Sequence, residues 1–250
     1  MADRVKIEPK IITIHRGRPS FLRTEASYRT DKFGREIKVN AKTGKPAKPQ
    51  WRMTWLLDPT DAQAAETIKE IKAEATRQLD LFFGVTDPSE RAAKYPKDNQ
   101  QTGTKGIIPC FGEGNKLTKI YDGYKDMFYV KVADSVEPIW GSRRGQSIRF
   151  SPGDGAWHVL NRDTGMPTEE VIDPSQAPYS GCYARGRIAL YVYNNEQAGV
   201  NANFKSVQFL ETGPSFGGGG RRSAADELAA MAGDAAPATP AGTAGADPWD

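Results

Sequence analysis

A chain of 250 residues, 26% charged and 38% hydrophobic, can bury one sizeable core or two small ones. No window approaches a membrane span, and the opening "MADRVKIEPK" lacks the apolar run of a secretory signal. The net charge of +3 hides an asymmetry, because the last 28 residues hold five acids and no Lys or Arg, leaving +8 on the remainder.

In chain order, β-branched and aromatic runs punctuated by Gly, Pro and Asn predict strands over 10–16, 21–29, 51–57, 127–133, 146–152, 186–194 and 206–211. Residues 1–55 carry 14 basic and 5 acidic side chains, and the stretch 31–50 reads as an extended basic hairpin or loop. A long helix is expected after Asp58, which can cap it, with Pro59 in its first turn. Ala64, Ile68, Ile71, Ala75, Leu79 and Phe82 form its apolar stripe, and Gly84 ends it. Residues 85–125 are rich in turn formers, with a short helix near Ser89–Lys94. After Phe216 the chain turns to Gly, Ala, Pro and Thr, too poor in apolar surface to offset the entropy of ordering. The expected division is therefore a folded domain over 1–216 and a disordered acidic tail over 217–250.

The chemistry-bearing residue types are sparse. Two cysteines, Cys110 and Cys182, and two histidines, His15 and His158, make no metal-ligand spacing. The cysteines read as small buried hydrophobes. "CFGEGNK" (110–116) lacks the spacing of a phosphate-cradling loop and reads as a plain turn, and "TEEVID" (168–173) as solvated loop carboxylates. No nucleophile–base arrangement is evident, so no catalytic residue, metal or cofactor is assigned.

Two strands carry a stronger signal. From Tyr183 to Tyr193 the even positions are Ala, Gly, Ile, Leu and Val, while the odd ones include Arg185, Arg187, Tyr191 and Tyr193. Alternate strand residues face opposite sides, so one face is apolar and the other mixes guanidiniums with phenols. In 124–133, Phe128, Val130 and Val132 oppose Tyr129 and Lys131 in the same way. Single-stranded nucleic acid offers bases to stack on rings and phosphates for cations. Arg185, Arg187, Tyr191, Tyr193, Tyr129 and Lys131 are accordingly the candidate DNA-binding residues, with the last two expected on a neighbouring strand.

"NRDTGMP" (161–167), "PYSGCY" (178–183) and "GVNANFKSVQFLETGPSFGG" (199–218) resemble a family of bacteriophage single-stranded DNA-binding proteins. "YKDMFYVKVA" fits the preceding strand, and the segments before residue 80 match more loosely. The resemblance implies a mostly β, OB-fold-like small barrel with one helix, crossed on one face by single-stranded DNA in the cytoplasm of an infected bacterium. It implies a role in phage replication and recombination, without enzymatic activity. The tail would recruit phage or host replication proteins through Trp249 between Asp247 and Asp250. A metal-dependent nuclease and a strand-annealing protein are the alternatives.

Overall fold

The computed structural model describes residues 7–30, 35–39, 44, 46–97, 106–117, 122–194, 198–214 and 216. Ten strands form one sheet: β1 (Ile11–Ser20), β2 (Trp51–Leu57), β3 (Phe111–Glu113), β4 (Phe128–Asp134), β5 (Ile139–Gly141), β6 (Ser147–Ser151), β7 (Ala156–Leu160), β8 (Pro167–Ile172), β9 (Tyr183–Asn194) and β10 (Ala198–Glu211). Their order is β3-β4-β2-β1-β9-β10-β5-β6-β7-β8. All pairings are antiparallel except that of β10 with β5, which is parallel.

The expected small barrel is not closed by a continuous ladder. Instead one isolated parallel bridge, Ile108 to Gly199, links the segment leading into β3 with the start of β10. Ile108 N–H donates to the Ala198 carbonyl at 3.1 Å, and Val200 N–H donates to the Ile108 carbonyl at 2.9 Å. The fold is mostly β, as expected, with its β3 edge tied to β10 by this bridge rather than zipped.

Alternation explains the core. Ile12 and Ile14 of β1, Met53, Trp55 and Leu57 of β2, Val130 and Val132 of β4, and Ile188 and Leu190 of β9 are all buried in one cluster. The helix α1 (Ala62–Phe83) adds Ala64, Ile68, Ile71, Ala75 and Leu79 to that cluster, as its spacing predicts. Phe82 stands at its edge, half-buried against Phe83 with ring centroids 5.1 Å apart. The helix starts one turn later than expected. Asp58 is engaged by Thr60, whose N–H and hydroxyl donate to it at 2.9 and 2.7 Å, while Asp61 caps the helix through Ala64 N–H at 2.8 Å. Gly84 takes the left-handed conformation, φ 65°, that ends it.

Three expectations change. Residues 21–29 form no strand, only the bridge of Ser27 to Gln50, because the segment finds no continuous ladder partner. The described part of the basic arm shows the bridges Thr30 to Glu36 and Val39 to Pro46, a hairpin in outline. "CFGEGNK" supplies β3 before it turns, and "TEEVID" lies largely in β8, an edge strand whose exposed acids suit its unpaired side.

β10 joins the barrel-like strands to the β5–β8 meander. Trp140 of β5 meets Phe204 of β10 edge-on at 5.6 Å and Trp157 of β7 at 5.7 Å. Such pairs add about 0.5–1.5 kcal/mol each beyond the area they bury. The "NRDTGMP" motif is the β7–β8 turn: Asn161 Oδ1 accepts from Asp163 N–H and Thr164 N–H, and Gly165 is left-handed at φ 67°. The tail 217–250, with Asp247, Trp249 and Asp250, lies outside the described residues.

Candidate nucleic-acid interface

β9 pairs with β1 on one side and β10 on the other, so its outward side chains lie in the middle of the sheet. Its 12 residues, at about 3.3 Å each, span roughly 40 Å. Ala184, Gly186, Ile188 and Leu190 are buried, whereas Arg185 and Arg187 are exposed and Tyr191 and Tyr193 half-buried. Arg187 lies between Thr13 and Ser206, and Arg185 lies opposite Gln208. Arg185 Nε donates to Gln208 Oε1 at 2.8 Å, which orients the guanidinium without neutralising it.

The phenols are seated by β10. Tyr191 lies opposite Asn201 and accepts a hydrogen bond from its Nδ2 at 2.9 Å. Tyr193 lies opposite Gly199, and its ring occupies the space where a Cβ would stand. Burial raises the pKa of the Tyr191 hydroxyl, so it remains a neutral donor at physiological pH.

Tyr129 and Lys131 share the outward face of β4, with the Lys131 ammonium 5.3 Å from the Tyr129 ring centroid. Their expected adjacency to β9 fails, since β2 and β1 intervene in the sheet. The connection runs the other way round. Cys110, buried just before β3, accepts from Lys131 N–H through its carbonyl at 2.8 Å. Two residues before Cys110, Ile108 bridges to Gly199, which lies opposite Tyr193, so backbone hydrogen bonds tie β4 to β10 through this segment. Arg185 and Arg187 stand further along β9. Burial pushes the Cys110 and Cys182 thiols up to about 12, consistent with inert packing residues.

The group at the start of β9 leaves little trace in the sequence. A bulge between Ile14 and Gly17 re-aims β1, and Arg16 then lies over the Tyr183 ring at 4.2 Å and pairs with Glu211. Arg18 lies 4.1 Å from the Phe216 ring centroid and donates to the Gly181 and Pro214 carbonyls at 3.1 and 2.6 Å. The alternating bases of "HRGR" were the only local signal. Their contacts occupy them with holding the chain after β10, whereas Arg185 and Arg187 are exposed on β9 and meet no described acid. Among the described residues, no group of three or more His, Cys, Asp or Glu could hold a metal ion, and no helix is long and apolar enough to cross a membrane.

The family described as "Enterobacter phage Enc34, ssDNA-binding protein" matches residues 37–236. The chain belongs to this family. Two solved structures of the single-stranded DNA-binding protein of bacteriophage Enc34 share its fold. The C-terminally truncated form has a TM-score of 0.50 at 15% identity, covering 82% of this chain and 88% of that one. The form in complex with single-stranded DNA has a TM-score of 0.50 at 16% identity, covering 83% and 89%. A protein called p50 from Acyrthosiphon pisum secondary endosymbiont phage 1 is 30% identical over 111 residues, 44% of this chain. The match spans 47% of that relative, about half its length.

Proposed function

We propose that this chain binds single-stranded DNA with little sequence preference, along the outward face of β9 and β10, and performs no reaction on it. One observation carries the reading. Arg185 and Arg187 are exposed, meet no described acid, and leave the same strand face as Tyr191 and Tyr193. Phosphates attract the guanidiniums, and unpaired bases can stack on the phenols, each stack contributing about 1–3 kcal/mol. A duplex hides its base faces and offers only the first of these. Family membership and the resemblance to a fold solved with single-stranded DNA support the same reading.

The protein would act in the cytoplasm of the infected bacterium, protecting single strands during replication and recombination. We take 1–216 as the DNA-binding domain. The acidic 217–250, with five acids and no Lys or Arg after Arg222, would recruit replication proteins through Asp247, Trp249 and Asp250.

Titration with labelled single- and double-stranded oligonucleotides, with and without magnesium, tests the reading. Preference for single strands, left intact in magnesium, supports it. Equal affinity for duplex overturns the single-strand preference, and magnesium-dependent cleavage makes the chain a nuclease.

A further inference from the structure

The basic face of β9 continues beyond the barrel-like strands. Gln208 of β10 lies opposite Arg185 on one side and Gly141 of β5 on the other. Its Oε1 accepts from Arg185, and its Nε2 donates to the Ser142 carbonyl at 3.2 Å. Ser142 opens the β5–β6 turn. Gly145 N–H donates to the Ser142 carbonyl at 2.9 Å, and Ser142 N–H donates to the Gln146 carbonyl at 2.9 Å. Gly145 is left-handed at φ 80°, so the loop is a tight hairpin with Arg143 and Arg144 at its corners. Arg143 N–H also donates to the Gln176 carbonyl at 3.2 Å, fastening the turn to the segment before β9.

Arg143, Arg144, Ser175, Gln176 and Thr212 line an open cleft of about 440 Å³. Arg16, Arg77, Arg91 and Arg149 each meet a carboxylate, whereas Arg29 and Arg162 are exposed without a described acid partner. Arg143, Arg144, Arg185 and Arg187 are exposed and meet none among the described residues. The Gln208 side chain itself links the two pairs, lying over Gly141, where a Cβ would stand 3.0 Å from Gln208 Cγ.

We propose that the Arg143–Arg144 turn is a phosphate-binding subsite that carries single-stranded DNA from β9 onto the β5–β8 meander. The inference rests on the single-stranded DNA reading above and extends its footprint. Guanidinium forks match phosphate oxygens, and the Thr212 hydroxyl and the Gln176 amide line the same cleft as neutral groups, while Ser175 is engaged by Asp173. The turn backbone is fixed by hydrogen bonds at both ends, so its arginines are held outward without loop-ordering cost.

The test is an affinity series with oligonucleotides of about 4 to about 30 nucleotides, a range that brackets the site of one OB fold. It uses the full-length protein and its Arg143→Gln/Arg144→Gln variant, with thermal unfolding in parallel. The variant should match the native protein on the shortest strands and fall behind only once the strand is long enough to leave β9. On long strands its slope of log K against log salt should be shallower by about 0.7 per lost phosphate contact. Its loss of affinity between about 50 and about 200 mM salt should then be roughly sevenfold smaller for two contacts. The Arg143→Lys/Arg144→Lys variant should keep the native slope. A deficit equal at every length, or none at any length, overturns the subsite while leaving the DNA reading intact. Failure of the native protein to bind any strand overturns both.

Discussion

The indole of Trp55 lies against the bare Cα of Gly186: a Cβ at that glycine would stand 2.5 Å from Trp55 Cζ2 and 2.5 Å from the Ser206 carbonyl oxygen. Gly186 sits between Arg185 and Arg187, so the close approach that completes the core also sets the strand carrying both guanidiniums. Gly186→Ala should destabilise the fold by about 1–3 kcal/mol through overpacking. Gly153→Ala, where a Cβ would meet only Ser151 Oγ at 4.0 Å, should stay within about 0.5 kcal/mol of native. Denaturant titration of both variants checks the contrast.

Glu74 is buried on α1, where it accepts from the Lys10 backbone N–H at 3.1 Å, from Gln78 at 2.8 Å, and from Arg77 at 2.7 Å through both Nε and Nη2. Burial alone would raise its pKa, but these donors together hold it below the ordinary carboxylate value. Its contribution is therefore present above the unfolded carboxylate range and fades as pH falls through the lowered folded value. Glu74→Gln should cost about 1–3 kcal/mol at neutral pH, the usual loss when buried donors are stranded. Thermal midpoints at neutral and acidic pH should show the native protein converging on the variant as acid is added.

His158 on β7 meets acceptors at both ring nitrogens, Asp154 at 2.8 Å and the Thr168 carbonyl at 3.0 Å. The hydrogen bond to Asp154, then that to Thr168, raises its pKa, while Asp154 is lowered to about 2. A raised folded pKa means the stabilisation is complete below the unfolded value, about 6.5, and is lost as pH rises through the folded one. Heating scans from about pH 5 to about pH 9 should show a fall in midpoint that His158→Asn lacks. A variant with the native pH profile would remove His158 from the account.

Tyr191 separates stacking from packing. Tyr191→Phe keeps the ring and loses only the hydrogen bond from Asn201, so it should bind single-stranded DNA nearly as well as the native protein. Tyr191→Ala should lose about 1–3 kcal/mol of binding if a base stacks on that ring. Unfolding measured alongside separates lost affinity from lost fold, because the side chain is half-buried.

The parts legible in the sequence are those fixed by local periodicity. β2 spans Trp51–Leu57 as read, Gly84 ends α1, and the alternation over 183–193 sorts Arg185 and Arg187 from Ile188 and Leu190. What escaped depends on distant partners. β5 is three residues long and exists because the second half of β10 pairs with it, and β8 carries exposed acids that look like a loop until β7 lies beside them. Residues 21–29 have strand-forming side chains but no ladder partner. Faces were readable in the same way, but neighbourhoods were not. β4 is tied to β10 through the 108–110 segment rather than by an adjacent strand, and the clasp of Arg16 over Tyr183 needs the β1–β9 pairing and its bulge.

The account turns on the outward face of β9, and the salt dependence of single-stranded DNA affinity in Arg187→Ala tests that face most directly. With the fold intact by thermal unfolding, affinity should drop and the slope of log K against log salt should lessen by about 0.7, one phosphate contact. Native affinity with a native slope would contradict it, moving the DNA path off β9.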